Sequence, residues 1–207
     1  MTAIDKIIPV VVVDNPDHAV ELARLYKLSG ISSIEITLRT QRAVECIKAI
    51  KDANLGMRLG VGTIINASEA ATALELEVDF LVSPATSPDL LKFAQDVQVP
   101  MYLGFSTVSE ALRLAEAGLG VGKFFPAEAA GGAAFVQSLG SVLPKFQVFP
   151  TGGIQLPNLA RYLNLPNVLQ VGGTWLAPKD QIANGEWTSI EKVIKETQQY
   201  LASYERK

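Results

Sequence analysis

Short runs of apolar residues alternate with segments of helical periodicity along the whole 207-residue chain. The apolar runs are nearly continuous, as is typical of strands that are covered on both faces. The pattern predicts eight strands, at about residues 7–13, 32–38, 57–63, 80–84, 99–105, 121–126, 147–151 and 168–171. It predicts a helix after each strand, at about residues 15–28, 40–53, 67–76, 87–95, 107–118, 132–142, 156–163 and 188–203.

Eight strand–helix units with short connections predict parallel strands, because each crossover returns the chain to the same end of the sheet. Such units can close into a (β/α)₈ TIM barrel, and we expect one α/β barrel domain over residues 1–207. An open doubly wound sheet is the alternative. The glycine fingerprint G-x-G-x-x-G does not follow the first predicted strand, which argues against a dinucleotide-binding version of that sheet.

Composition narrows the possible functions. Hydrophobic residues make up 48% and charged residues 19% of the chain, and the net charge is -3, as in a folded globular protein. The lack of basic runs argues against a nucleic-acid partner, and no apolar run approaches the roughly 20 residues that span a bilayer. No secretion signal is recognisable, and the single cysteine, Cys46, fits a cytoplasmic location. Because His18 is the only histidine, a zinc site with several histidine ligands is excluded.

Polar residues occupy one face of the second predicted strand. Glu35, Thr37 and Arg39 alternate with apolar residues that suit packing against helices, so the polar face is expected to point into the barrel. A buried glutamate is costly unless it is paired or used in chemistry. Either a structural Glu35–Arg39 ion pair or a catalytic Glu35 would explain the pattern, and the carboxyl ends of barrel strands are where active sites form.

Lys123 lies in the apolar sixth predicted strand. Lysine is seldom buried, and burial favours the neutral amine, which is a nucleophile. A lysine that extends its ammonium group to the rim of the barrel is the structural alternative. If Lys123 and Glu35 project into the same barrel mouth, they place a nucleophile and a proton-transfer group in one pocket.

Two glycine pairs follow the last two predicted strands. Gly152 and Gly153 come after the seventh strand, and Gly172 and Gly173 come at the end of the eighth. In barrels these two loops often bind phosphate through backbone N–H groups, and glycine permits close backbone approach. One pair alone would be an ordinary turn, but two pairs at these positions favour a phosphorylated ligand.

Several motifs together resemble one enzyme family. They occur in this order: Glu35-Ile-Thr-Leu-Arg-Thr40, Gly60-Val-Gly-Thr63, Ser83-Pro84, Ser106-Thr-Val-Ser-Glu110, Lys123-Phe-Phe-Pro-Ala-Glu128, Pro150-Thr-Gly-Gly-Ile154 and Gly172-Gly-Thr-Trp175. This set, which spans nearly the whole chain, resembles the 2-keto-3-deoxy-6-phosphogluconate (KDPG) aldolase and 4-hydroxy-2-oxoglutarate (KHG) aldolase family. The segment around Lys123 is the most specific of the motifs.

The resemblance implies a metal-independent class I aldolase on a (β/α)₈ barrel, usually a homotrimer. It implies that Lys123 forms an imine with the 2-keto group of the substrate and that Glu35 is the general acid and base. No cofactor is expected beyond the covalent lysine imine, and the expected partner is a phosphorylated 2-keto acid. The residues that it implies for substrate binding are Arg39, Thr63, Pro84, Phe125, Thr151, Gly152, Gly153, Gly172, Gly173 and Thr174.

The sequence departs from the family pattern at a few positions. Val61 and Ala85 stand where alanine and glycine are usual, and we expect them to narrow the pocket. Thr174 replaces a commoner serine, and its methyl group is expected to alter the aldehyde preference. Four other functions stay open on the residues alone: a 2-dehydro-3-deoxy-6-phosphogalactonate aldolase, a phosphate-sugar isomerase or synthase, a metal-dependent aldolase and a non-catalytic phosphate-binding barrel.

Overall fold

Strands and helices alternate along the computed structural model, which describes residues 6–204. The strands are β1 Ile7–Val11, β2 Ser33–Thr37, β3 Arg58–Gly62, β4 Phe80–Val82, β5 Met101–Tyr102, β6 Gly104–Phe105, β7 Val121–Phe124, β8 Gln147–Pro150 and β9 Val171–Gly173. The helices are α1 Pro16–Leu28, α2 Ala43–Asp52, α3 Ala67–Glu75, α4 Pro88–Asp96, α5 Val108–Glu116, α6 Gly132–Val142, α7 Leu156–Leu163, α8 Lys179–Ala183 and α9 Trp187–Tyr204. Within residues 6–204, no helix is both long and apolar enough to cross a membrane. Residues 1–5, where a secretion signal would begin, lie outside the described range.

All strand pairs are parallel. Six strands form one sheet in the order β5-β4-β3-β2-β1-β9, and three form another in the order β6-β7-β8. One residue, Leu103, separates β5 from β6 in the chain. At the opposite ends of the two strand orders, a parallel bridge between Thr151 and Gly172 links the end of β8 to β9. The predicted α/β fold with parallel strands is confirmed.

Among the described residues 6–204, buried apolar side chains form two separate clusters. The larger one includes helix residues such as Leu22 and Ile47 together with outward-facing strand residues such as Ile34 and Ile36. The smaller one joins Ile8, Phe80, Val82 and Phe149 from β1, β4 and β8. Because these three strands are not neighbours, their side chains meet on the face of the sheets that the helices do not cover. Polar residues on this same face are therefore enclosed by strands.

Side-chain caps fix the starts of four helices where the sequence predicted them. Asn15, Asn66, Ser87 and Thr107 accept hydrogen bonds from backbone N–H groups in the first turns of α1, α3, α4 and α5. Glu110 completes a capping box with Thr107. Such caps contribute about 1 kcal/mol each by pairing N–H groups that the helix leaves without an acceptor.

The fifth predicted strand is divided in two because the chain changes partners at Leu103. Before this point, the carbonyl of Tyr102 accepts a hydrogen bond from Ser83 N, next to β4. At Leu103 the carbonyl instead accepts a hydrogen bond from Lys123 N in β7, at 2.8 Å. The predicted continuous run 99–105 is therefore wrong as a single strand, although it lies in the predicted place.

Further differences from the prediction concern α2, β9 and α8. Helix α2 begins at Ala43 rather than near residue 40, because Thr40 and Arg42 make hydrogen bonds to Val13 and Asp14 instead. The strand β9 begins at Val171, where it pairs with Ile7, whereas residues 168–169 pair with β8. The short helix α8 was not predicted, since five residues are too few to show a helical period.

Candidate active site

Lys123 and Glu35 lie side by side on the face of the sheets that the helices do not cover. Lys123 is in β7 and Glu35 is in β2, so the contact joins the three-stranded and the six-stranded sheet. Lys123 Nζ donates a hydrogen bond to Glu35 Oε1 at 3.4 Å. The two side chains are only 4% and 0% exposed. The structure thus brings together the two residues that were predicted to be catalytic, and the alternative in which Lys123 extends to solvent is wrong.

The surroundings of this pair are largely apolar. Lys123 Nζ lies 5.7 Å from the ring centroid of Phe125 and 5.9 Å from that of Phe149. The second carboxylate oxygen, Glu35 Oε2, has no hydrogen-bond partner among the described residues. Removing two charges from water costs several kcal/mol per ion, and one weak hydrogen bond offsets little of that cost. A pair of this kind adds little to stability, which favours a chemical role.

Two glycines of β3 leave space for this interior. Gly60 pairs with Glu35 across the β2–β3 ladder. A Cβ atom on Gly60 would lie 2.1 Å from the ring of Phe80, and one on Gly62 would lie 1.9 Å from Glu35 Oε1. Val61 between them is fully buried in the larger cluster, on the helix side of the strand. The expectation that Val61 narrows the pocket is therefore wrong, because alternate residues of a strand point to opposite faces.

Replacing Gly62 by alanine should displace the Glu35 carboxylate from Lys123. The new methyl group overlaps Oε1, so the side chain has to turn away inside a packed core. We expect a loss of about 1–3 kcal/mol in the free energy of unfolding from overpacking, and a kcat lower by about 10²-fold from misplacement of the carboxylate. Thermal melting and steady-state kinetics measure the two effects.

Gly120→Ala is the matched control, because a Cβ atom there would meet nothing within 4 Å. It should leave both quantities near their original values. If Gly62→Ala turned over at the original rate, the position of the Glu35 carboxylate would not matter to the reaction.

Arg39 and Thr63 meet at the ends of neighbouring strands. Arg39 follows β2, Thr63 follows β3, and Arg39 Nε donates a hydrogen bond to Thr63 Oγ1 at 3.2 Å. Arg39 is exposed, and Thr63 has a φ of 65°, an unusual conformation for a β-branched residue. This strained backbone fits a site where geometry is fixed for function. Glu35 does not form the alternative ion pair with Arg39, because its partner is Lys123.

The two predicted glycine pairs lie next to each other. Thr151 bridges to Gly172, and a Cβ atom on Gly172 would lie 2.3 Å from Thr151 Oγ1. Thr151 is buried, and its hydroxyl has no partner among the described residues. Gly152 and Gly153 follow with φ angles of 105° and 76°, which glycine adopts without strain. The arrangement places a buried hydroxyl and the Gly152–Gly153 turn beside the glycines of β9, at the carboxyl ends of the strands.

The remaining predicted site residues lie around this edge. A Cβ atom on Gly173 would overlap the ring of Trp175, so the indole packs directly on the β9 backbone. Thr174 is exposed, and Pro84 is half-buried with its backbone against Gly104. Phe125 is also half-buried and lies beside Lys123. These four residues, Gly173, Thr174, Pro84 and Phe125, thus lie at or just beyond the carboxyl ends of strands.

Sequence reasoning missed two contacts of the site. Phe149 pairs with Lys123 across the β7–β8 ladder, and its ring lies near the amine. Its position two residues before Thr151 was the available signal, because residues i and i+2 of a strand share a face. Tyr162 in α7 donates a hydrogen bond to Glu128, and nothing in the helical pattern of α7 distinguished Tyr162 from an ordinary core residue. Within residues 6–204, no group of three or more His, Cys, Asp or Glu side chains could hold a metal ion.

Comparison with known proteins identifies relatives over almost the whole chain. Residues 2–193 match the family model described as KDPG and KHG aldolase. The chain is 34% identical over 201 residues to the 2-dehydro-3-deoxy-phosphogluconate aldolase of Pseudomonas aeruginosa, with 97% of this chain and 91% of that protein covered. It is 38% identical over 190 residues to the KHG/KDPG aldolase of Escherichia coli K12, with 92% and 89% covered.

A solved structure agrees with these relatives. The KDPG aldolase from Legionella pneumophila, with pyruvate captured at low pH as a covalent carbinolamine intermediate, is 33% identical to this chain. It aligns with a TM-score of 0.90 over 94% of this chain and 95% of that one. Sequence, family model and fold therefore agree, and the chain belongs to the KDPG and KHG aldolase family.

Proposed function

We propose that this chain is a class I aldolase that cleaves 2-dehydro-3-deoxy-6-phosphogluconate to pyruvate and D-glyceraldehyde 3-phosphate. The observation that carries the proposal is the buried contact between Lys123 Nζ and Glu35 Oε1. A lysine that is shielded from water next to one carboxylate has the two groups that imine chemistry needs, a nucleophilic amine and a proton carrier. Family membership and the covalent pyruvate in the Legionella pneumophila relative support the same reaction.

The first half of the reaction forms the imine. The neutral amine of Lys123 adds to the C2 carbonyl carbon of the substrate and gives a carbinolamine. Glu35 carries the proton that it took from the Lys123 ammonium group and gives it to the carbonyl oxygen during this addition. The carboxylate then takes a proton from the nitrogen of the carbinolamine and gives it to the hydroxyl group, which leaves as water. The product is a protonated imine, whose positive nitrogen accepts electrons from the neighbouring carbon–carbon bond.

The second half breaks that bond. The C4 hydroxyl loses its proton to Glu35, the C3–C4 electron pair moves into the imine, and glyceraldehyde 3-phosphate leaves. The remaining enamine takes a proton at C3, and water hydrolyses the imine to release pyruvate and restore Lys123. The protonated imine is the electron sink here, so no metal is needed for this step, and we propose that the enzyme uses none.

The other site residues would hold the two ends of the substrate. Arg39 and Thr63 would bind the carboxylate, because a guanidinium group and a hydroxyl are strong donors to it. Thr151 would contact the chain hydroxyls. The N–H groups of Gly152, Gly153, Gly172, Gly173 and Thr174 would bind the phosphate, and Pro84 and Phe125 would line the pocket wall.

The proposed architecture is one closed (β/α)₈ barrel domain. Only Leu103 separates β5 from β6, and the bridge between Thr151 and Gly172 joins β8 to β9, so the two sheets approach each other on both sides. We further propose a cytoplasmic homotrimer. Exposed apolar side chains at Ile65, Val108 and Leu112 are available for contacts between subunits.

Cleavage of 4-hydroxy-2-oxoglutarate to pyruvate and glyoxylate is proposed as a second activity. It needs the same imine on Lys123, and the relative from Escherichia coli is named for both activities. The galactonate isomer of the substrate has less support, since the relatives from Pseudomonas aeruginosa and Escherichia coli carry the gluconate names.

Borohydride reduction in the presence of pyruvate tests the proposal. It should leave a pyruvyl group on Lys123, found by peptide mass spectrometry, and KDPG should compete with the labelling. A label on another lysine would contradict the assignment. An isomerase, a synthase or a phosphate-binding barrel would give no label, and a metal-dependent aldolase would lose activity in EDTA without forming one.

A further inference from the structure

Glu128 and Tyr162 connect two loops of the proposed site. Glu128 lies in the loop between β7 and α6, five residues after Lys123, and Tyr162 is fully buried in α7. The Tyr162 hydroxyl donates a hydrogen bond to Glu128 Oε1. Burial and this bond raise the pKa of Tyr162 well above its ordinary value, so the hydroxyl remains a donor at neutral pH.

The backbone of this loop also supports the first glycine pair. Ala127 N donates to Thr151 O at 2.8 Å, and Glu128 N donates to Gly152 O at 3.1 Å. A Cβ atom on Gly153 would lie 2.8 Å from Glu128 Cβ, so Gly153 packs directly on the Glu128 side chain. The proposed phosphate segment Gly152–Gly153 is therefore held by the loop that follows Lys123.

The carboxylate of Glu128 is directed towards the start of α6. Gly132, the first residue of α6, leaves space for it, since a Cβ atom there would lie 3.3 Å from Glu128 Oε1 and 3.6 Å from the Tyr162 hydroxyl. A negative charge is favourable at the amino end of a helix. Glu128 is otherwise an exposed residue, so without the Tyr162 bond little would restrain its side chain.

We propose that Tyr162 and Glu128 are positioning residues that make the enzyme select phosphorylated substrates. The hydroxyl of Tyr162 holds the Glu128 carboxylate at the start of α6, beside Gly132. If this hydrogen bond is lost, the Glu128 carboxylate can rotate to a position above Gly153, where it would repel a phosphate dianion. This inference rests on the proposed function, since it assumes that the glycine pair receives the substrate phosphate.

Tyr162→Phe tests the inference, because it removes the hydroxyl and keeps the buried ring. The measured quantity is the ratio of kcat/KM for KDPG to kcat/KM for the same 2-keto acid without its phosphate. We expect this ratio to fall about fivefold to tenfold through a higher KM for KDPG, with kcat changed by less than about twofold. Adding Glu128→Gln to Tyr162→Phe removes the freed charge and should restore the ratio to within about twofold.

Tyr26→Phe is the matched control, because Tyr26 is also fully buried and its hydroxyl has no partner among the described residues. It should leave the ratio unchanged. Equal loss on both substrates in Tyr162→Phe, or no rescue by Glu128→Gln, would overturn the inference and indicate a purely structural role.

Pyruvate trapping separates this inference from the proposed function. Trapping on Lys123 does not involve phosphate, so the rate should be the same in the wild type and in Tyr162→Phe. If the wild type fails to trap pyruvate, the proposed function is wrong. If it traps pyruvate and cleaves both substrates, but the ratio does not change in Tyr162→Phe, only the role of Tyr162 and Glu128 is wrong.

Discussion

Lys123→Met should lower kcat/KM for KDPG by about 10⁵-fold, because no other amine among the described residues lies where it could replace Lys123 in imine formation. Methionine has nearly the same length as lysine and fills the buried space, but its thioether cannot add to a carbonyl. Pyruvate release, followed in a coupled assay, measures the loss. Borohydride and pyruvate should no longer label the protein. Lys192→Met, on an exposed side chain of α9, should keep full activity and serves as the control.

The same substitution should also lower stability. Glu35 is fully buried, and Lys123→Met leaves its carboxylate without a counterion. Removing one partner of a buried pair costs about 3–5 kcal/mol, whereas replacing both partners by neutral groups costs much less. The double variant Lys123→Met/Glu35→Gln should therefore melt closer to the wild type than Lys123→Met does, and should be equally inactive. Substantial activity in the folded double variant would show that the reaction does not pass through an imine on Lys123.

Most of the strands and helices could be predicted from the sequence, because a strand that is buried on both faces appears as a run of apolar residues. Helices α6 and α7 begin and end where the pattern placed them. The errors arose where pairing, rather than burial, defines the element. Leu103 is as apolar as its neighbours, and the change of partner there depends on which strand lies opposite its carbonyl. A hydrophobic pattern contains no information on that choice.

The positions of the candidate site residues could be predicted from the sequence, but most of the contacts between them could not. Alternation along β2 placed Glu35 on the interior face, and the position of Lys123 at a strand end placed it in the same mouth. The partner of Glu35 was not decided by the sequence, since Arg39 was as good a candidate as Lys123 until the strands were assembled. The Glu128–Tyr162 contact spans 34 residues and two loops, so local periodicity could not reveal it.

Glu35→Gln should keep the fold and lose most of the turnover. Glutamine has the same shape, so it fits beside Gly62 without new overlap, but it neither accepts nor returns a proton. Losing a general acid and base typically costs 10²–10⁴-fold, and we expect kcat to fall by about 10³-fold. Exchange of the pyruvate methyl protons with deuterated water, followed by NMR, should slow by a comparable factor because it passes through the same enamine.

Trapping makes this experiment specific to proton transfer. Lys123 keeps its amine in Glu35→Gln, so long incubation with pyruvate and borohydride should still label it, only more slowly. Glu196→Gln, on an exposed side chain of α9, is the control and should react as the wild type does. Near-normal turnover in Glu35→Gln would remove Glu35 from the mechanism and leave its contact with Lys123 as a structural pair. Slow turnover with normal labelling would instead place Glu35 in C–C cleavage alone, after the imine has formed.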